Sequence, residues 1–126
     1  MDELLYKEES FKIIGACMEV HKELGNGFLE AVYQRALANE FKLQNIPFKE
    51  QQAFKVSYKG INLGKIYKAD FVCFNKIIVE IKANSLLHPK NVAQTINYLK
   101  TSNHQLALLV NFGETSLTWK RFVNTK

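Results

Sequence analysis

Cysteine, histidine and proline are all scarce: the 126 residues hold two cysteines, three histidines and two prolines. Two cysteines cannot build a disulfide scaffold, and Cys17 and Cys73 both lie in apolar surroundings where a free thiol behaves as a small hydrophobe. There is no Cys-x-x-Cys, and His21, His88 and His104 are scattered without paired-ligand spacing, so a structural zinc site is not expected. Nor does any apolar run approach the roughly 20 residues that cross a bilayer. The opening stretch MDELLYKEES is polar and acidic, unlike a secretion signal, and the expected location is the cytoplasm. Repeats, low-complexity tracts and linkers are also missing, which leaves a single compact domain spanning 1–126 as the expectation.

What remains is a globular composition, 47% hydrophobic and 23% charged. Seventeen basic residues against twelve acidic ones set the net charge at +5, which favours an anionic partner, although solvated lysines alone can produce such a balance.

The period of the apolar positions divides the chain. From Glu8 to Leu24, Phe11, Ile14 and Met18, with Ile13, Cys17 and Val20 nearby, recur at helical spacing, and Ser10 is a candidate cap. Gly25 and Asn26-Gly27 end that helix, and a second runs from Phe28 to Leu43 with Leu29, Val32, Ala36, Leu37 and Phe41 on its apolar side. The pattern then alternates, predicting strands over Ala53 to Tyr58, Lys65 to Phe74 and Lys76 to Ala83, with a hairpin connection at Asn75-Lys76. Pro89 suits the first turn of a third helix carrying Val92, Ile96 and Leu99 on one face. QLALLVNF, residues 105 to 112, reads as a central strand covered on both sides, and a last strand falls near Leu117 to Val123.

Three charges interrupt the apolar strands. Alternation places Ile78, Glu80 and Lys82 on one face and Ile77, Val79, Ile81 and Ala83 on the other, and the preceding strand can bring Asp70 alongside. Two converging carboxylates repel unless a cation lies between them, and hard oxygen ligands suit Mg²⁺ or Mn²⁺. Taken alone, the same three residues also fit a solvated sheet face with a weak surface ion pair. Likewise Glu30 suits the N-terminus of a helix without any metal. Gln94 and Tyr98 suit an ordinary helix face, Tyr33 and Tyr67 suit core aromatics, and His21 suits a packing or surface position.

Four stretches together resemble a known family. Asp70 followed by Glu80-Ile81-Lys82 resembles the core of the PD-(D/E)XK nuclease superfamily; GFLEAVY, Gly27 to Tyr33, preceded by EVHKELGNG, resembles the signature of its GxxExxY branch; and QTINY, Gln94 to Tyr98, resembles the Gln-x-x-x-Tyr element of RecB-type nucleases. The resemblance runs from about Ile13 to Phe122. It implies an α/β, restriction-endonuclease-like core: a mixed sheet, an antiparallel meander plus further strands, flanked by helices. It implies a divalent-metal-dependent nuclease with Asp70, Glu80 and the backbone carbonyl of Ile81 as metal ligands and Lys82 orienting the attacking water. Glu30 would touch the metal through water or bind a second ion, and Gln94 and Tyr98 would face the site. Some RecB-type nucleases use a histidine on an N-terminal helix as a ligand, but their surrounding motif is not reproduced at His21, whose role the resemblance leaves open. The expected substrate is nucleic acid, DNA rather than RNA, read without base specificity. A chain this short also suits a homodimer or a partner protein. The rival expectation is a binding or regulatory module that keeps the nuclease fold and acts with a partner protein or RNA.

Overall fold

A computed structural model describes residues 5–124. Two helices, α1 (Lys7–Leu24) and α2 (Glu30–Leu43), precede an antiparallel meander of β1 (Phe48–Tyr58), β2 (Ile61–Cys73) and β3 (Ile77–Lys82). Helix α3 (Pro89–Ser102) then carries the chain to β4 (Leu106–Asn111), which pairs parallel to β3, and β5 (Thr118–Val123) returns antiparallel along β4. Parallel neighbours cannot be joined by a tight turn, and α3 is the crossover that this pairing requires. The result is one five-stranded mixed sheet in the order β1-β2-β3-β4-β5.

Alternation along the strands feeds two cores. Ile77, Val79 and Ile81 join Leu106, Leu108 and Val110 under α1 and α2, while Ile78 and Ala107 join Tyr67, Ala69, Val72 and Leu99 under α3. Every residue of β4 is buried, as its unbroken apolar run predicts for a strand between two helical layers. No helix among the described residues is long and apolar enough to cross a membrane.

Several local expectations shift. The meander turn is centred on Phe74 and Asn75, one residue earlier than predicted. Both have positive φ, and Lys76 N–H closes the turn on the Cys73 carbonyl at 3.0 Å. The second helix begins at Glu30 rather than Phe28, and β1 begins at Phe48 rather than Ala53, because pairing with β2 draws Phe48 to Glu50 into the sheet despite their polar neighbours. Phe11 and Met18, expected on the inner side of α1, are exposed. The stripe facing the sheet is Ile13, Ile14, Ala16, Cys17 and Val20, and Phe11 and Met18 flank a groove of about 630 Å³ beside Trp119. Ser10 is not a cap: it lies inside α1, where its hydroxyl accepts from Arg121 at 3.2 Å. His88 does cap, accepting the Lys90 N–H of α3 through Nδ1 at 3.0 Å.

Candidate active site

The strand pairing of β2 with β3 stops at Phe71 and Val79, one step short of Asp70 and Glu80. From there the two carboxylates replace the ladder. Asp70 Oδ2 accepts the Ile81 N–H at 2.9 Å, and Glu80 Oε2 accepts the Asp70 N–H at 3.1 Å. Backbone amides that would otherwise be orphaned at the fork are thereby satisfied, and both carboxylates are held at the point where the strands part. Gln51, whose φ of 53° marks an irregularity opposite Asp70, donates to Asp70 Oδ1 at 3.5 Å.

Burial makes this pair electrostatically costly. Glu80 is 6% exposed, and desolvation, reinforced by the charge of Asp70, pushes its carboxyl up to about 8. Burial also raises Asp70 above the ordinary range, against the bond from Ile81 and the field of Lys82. Glu30, at the solvent edge in the first turn of α2, is raised by partial desolvation and by Asp70, with Lys82 pulling the other way. Lys82 thus acts on all three carboxylates. It does so without a direct ion pair, since Lys76–Glu9 is the sole pair within 4.0 Å among the described residues.

Helix α3 covers the other side. Tyr67 donates its hydroxyl to Glu80 Oε2 at 3.1 Å, and its ring stacks on Tyr98 with centroids 3.4 Å apart. Burial and the charges of Glu80 and Asp70 raise the proton affinity of both phenols, so Tyr67 remains a donor. Gln94 is exposed on the same helix one turn earlier. In chain order, the structure draws Glu30, Asp70, Glu80, Lys82 and Tyr98 into one electrostatic neighbourhood, with Ile81 tied to it through its amide.

Sequence reasoning missed Tyr67 and Gln51. Their spacing carries no signal, because both act across strand pairs whose register is not legible along the chain. The stretch Gly27 to Tyr33 also divides its labour. Glu30 lies in the electrostatic field of Lys82 and Asp70, whereas Tyr33 is wholly buried, stacks on Phe112 with centroids 4.8 Å apart, and donates to the Gly25 carbonyl, clamping the loop before α2. His21 is held elsewhere, with Nε2 2.9 Å from the Glu114 carbonyl.

The end of β3 is clamped as well. Phe112 N–H bonds the Lys82 carbonyl at 2.8 Å, and the buried Asn111 amide accepts from Asn84 N–H and donates to the Asn84 carbonyl. These bonds set the position from which Lys82 leaves the sheet.

The donor set fits a hard divalent cation. Among the described residues no three His, Cys, Asp or Glu side chains are grouped closely enough to hold a metal alone. The paired carboxylates of half-buried Asp70 and buried Glu80 suit Mg²⁺, however, which commonly keeps several waters and takes one or two protein carboxylates along with substrate phosphates.

A three-layer α/β fold with paired carboxylates and a lysine where two strands fork is the architecture of a restriction-endonuclease-like protein. The chain belongs to the PD-(D/E)XK nuclease superfamily, whose profile matches residues 7–122. Membership suggests a nuclease acting on nucleic acid, and proteins of this superfamily generally use divalent metals. Among solved structures, one described as the crystal structure of SSO0001 superposes with a TM-score of 0.56 at 16% identity, a likeness of fold. It is matched over 98% of this chain, which spans 62% of that one. No curated protein matches the sequence.

Proposed function

We propose that the protein is a divalent-metal-dependent nuclease of the GxxExxY branch that hydrolyses phosphodiester bonds, with DNA as its substrate. The observation that carries this reading is the crosswise bonding of Asp70 and Glu80 beside Lys82, a half-buried and a buried carboxylate kept together despite their repulsion. Asp70 and Glu80 would hold Mg²⁺ or Mn²⁺, with the Ile81 carbonyl as a further ligand and Glu30 reaching it through water. When bound, that ion supplies Lewis acidity toward a phosphate oxygen and lowers the pKa of a coordinated water.

The protein's own groups would do the rest. Lys82 orients the attacking water and balances the negative charge that grows on the phosphate as the new P–O bond forms and the old one breaks. The attacking water would release its proton to solvent, and the departing oxygen would take one up from solvent. Tyr67 bonds the Glu80 carboxylate and stacks on Tyr98, and Tyr98 and Gln94 would face the site from α3.

Incubating purified protein with end-labelled DNA and RNA in Mg²⁺ or Mn²⁺ tests the proposal, with Asp70→Asn as control. Metal-dependent cleavage of DNA, absent from the control, is the expected result. Failure to cut either polymer in any divalent condition would leave the fold as a binding module.

A further inference from the structure

The outer half of the β1–β2 hairpin has no partner. Residues 57–66 are all exposed, on both faces of the ribbon, including the apolar side chains Tyr58 (57%), Ile61 (64%), Leu63 (49%) and Ile66 (57%). The inner half is covered on one face only, where Phe54 and Tyr67 stack on each other and, through Tyr98 and His104, against α3 and the loop after it, while Ala53, Lys55 and Lys68 on the opposite face are exposed. A two-stranded ribbon beyond that cover has no layer to bury its apolar face, and such ribbons are marginal by themselves. Its turn is tightly made all the same, with Lys59 and Gly60 both at positive φ.

Charge identifies what the ribbon meets. Between Glu50 and Asp70 the chain carries Lys55, Lys59, Lys65 and Lys68 and no acidic residue. Register places Lys55 opposite Ile66 and Lys68 opposite Ala53, so these two lysines are diagonal neighbours on one face, while Lys65 opposite Val56 lies on the other. Positive charge on both faces repels a second copy of the same ribbon and attracts a polyanion that surrounds it. Strand β2, which bears Lys65 and Lys68, runs directly into Asp70, two residues beyond Lys68.

Dimensions narrow the polyanion. At about 3.3 Å per residue the tip lies roughly 30 Å along the strand from Asp70, and the uncovered residues 57–66 make up about half of that reach. A two-stranded ribbon enters the roughly 12 Å major groove of B-form DNA, whereas the A-form major groove of duplex RNA is too narrow. We infer that the β1–β2 ribbon is a grip for B-form DNA, seated in the major groove with Lys55, Lys59, Lys65 and Lys68 on the flanking phosphates, holding the duplex in line with Asp70 and Glu80. This inference rests on the reading of nucleic acid as the substrate and specifies its form.

Binding without cleavage separates the two. Fluorescence anisotropy with a labelled 20-base-pair DNA duplex in EDTA, in the Asp70→Asn background, is compared with the same protein carrying Lys55→Gln, Lys59→Gln, Lys65→Gln and Lys68→Gln. Loss of four phosphate contacts should weaken binding at least about tenfold and flatten the plot of log K against log salt by about three to four. Duplex RNA should bind more weakly than duplex DNA. Equal affinity and slope with and without the lysines would overturn the grip even if the wild type cleaves DNA. A lysine-dependent grip in a protein that cuts nothing would instead sink the nuclease reading alone. A wild-type slope shallower than about two overturns the inference independently of any variant. So does ribbon-dependent self-association, read by sedimentation as a dimer that Ile61→Glu converts to monomer without altering DNA affinity.

Discussion

Asp70 and Glu80 are bonded crosswise, the amide of Asp70 to the carboxylate of Glu80 and the carboxylate of Asp70 to the amide that follows Glu80. Each acid is therefore placed by the backbone of the other's strand. The arrangement keeps two carboxylates together at the fork of β2 and β3, where a cation can relieve their repulsion.

Relief of that repulsion is measurable without substrate. Mg²⁺ or Mn²⁺ at millimolar concentration should raise the melting temperature of the wild type by mass action on the folded state, and that of Asp70→Asn much less. Equal shifts in the two proteins, followed by differential scanning fluorimetry, would count against Asp70 as a ligand.

The pH dependence of stability follows from Glu80. Its carboxyl titrates near 8 in the folded protein against 4.5 for the ordinary group. Between those values the unfolded chain has lost a proton that the native state still holds, so this group's contribution falls as pH rises from 4.5 to about 8 and is fully lost above. Glu80→Gln keeps an oxygen to accept from Tyr67 and Asp70 but cannot ionise. In EDTA it should melt higher than wild type at pH 9, by about 5 °C or more, a shift that roughly 1 kcal/mol produces in a domain of this size, and near wild type at pH 4. A constant difference across that range would assign the titration to another group.

Lys82 should separate metal binding from chemistry. Lys82→Met keeps most of the stem and removes the charge, so calorimetric metal binding should persist while cleavage falls by about a hundredfold or more, the scale seen when one electrostatic stabiliser is lost. Cleavage within a few fold of wild type would take Lys82 out of the reaction.

Tyr67 is expected to position rather than react. Removing its hydroxyl in Tyr67→Phe leaves the stack on Tyr98 but takes a donor from the Glu80 carboxylate, so metal affinity should drop about tenfold, as for other groups that orient a ligand. Because the lost bond favours the ionised acid, the pH at which metal binding is half-maximal should also rise. An unchanged pH profile would make Tyr67 a packing residue.

Gly113 tests the clamp behind Lys82. A Cβ there would lie 2.3 Å from the Asn84 carbonyl oxygen, which is backbone and cannot swing aside. Gly113→Ala should cost about 1–3 kcal/mol in urea unfolding and displace the end of β3. A neutral substitution would show that the Asn84 loop is free to move.

Much of this molecule is legible in one dimension. The change from helical to alternating period, the buried run of β4 and the shared face of Ile78, Glu80 and Lys82 depend on spacing alone, because side-chain direction repeats every 3.6 residues in a helix and every two in a strand. The element order follows from the same local rule, whereas the register that sets Asp70 beside Glu80 does not. Where neighbours in space decide, the reading slips. Phe48 to Glu50 have weak strand character and join β1 because β2 lies beside them, and Phe11 and Met18 have core character yet lie outside because the sheet meets α1 along a narrower stripe.

The chemistry divides in the same way. Which residues carry charge, and that a hairpin brings Asp70 near Glu80, is written in the order of the chain. That the ladder ends one step before them, that Tyr67 and Gln51 hold the two acids, and that all four lysines of the hairpin stand exposed are set by the fold. Register, burial and desolvation arise between segments far apart in sequence, and a carboxylate's pKa is decided by what surrounds it after those segments meet.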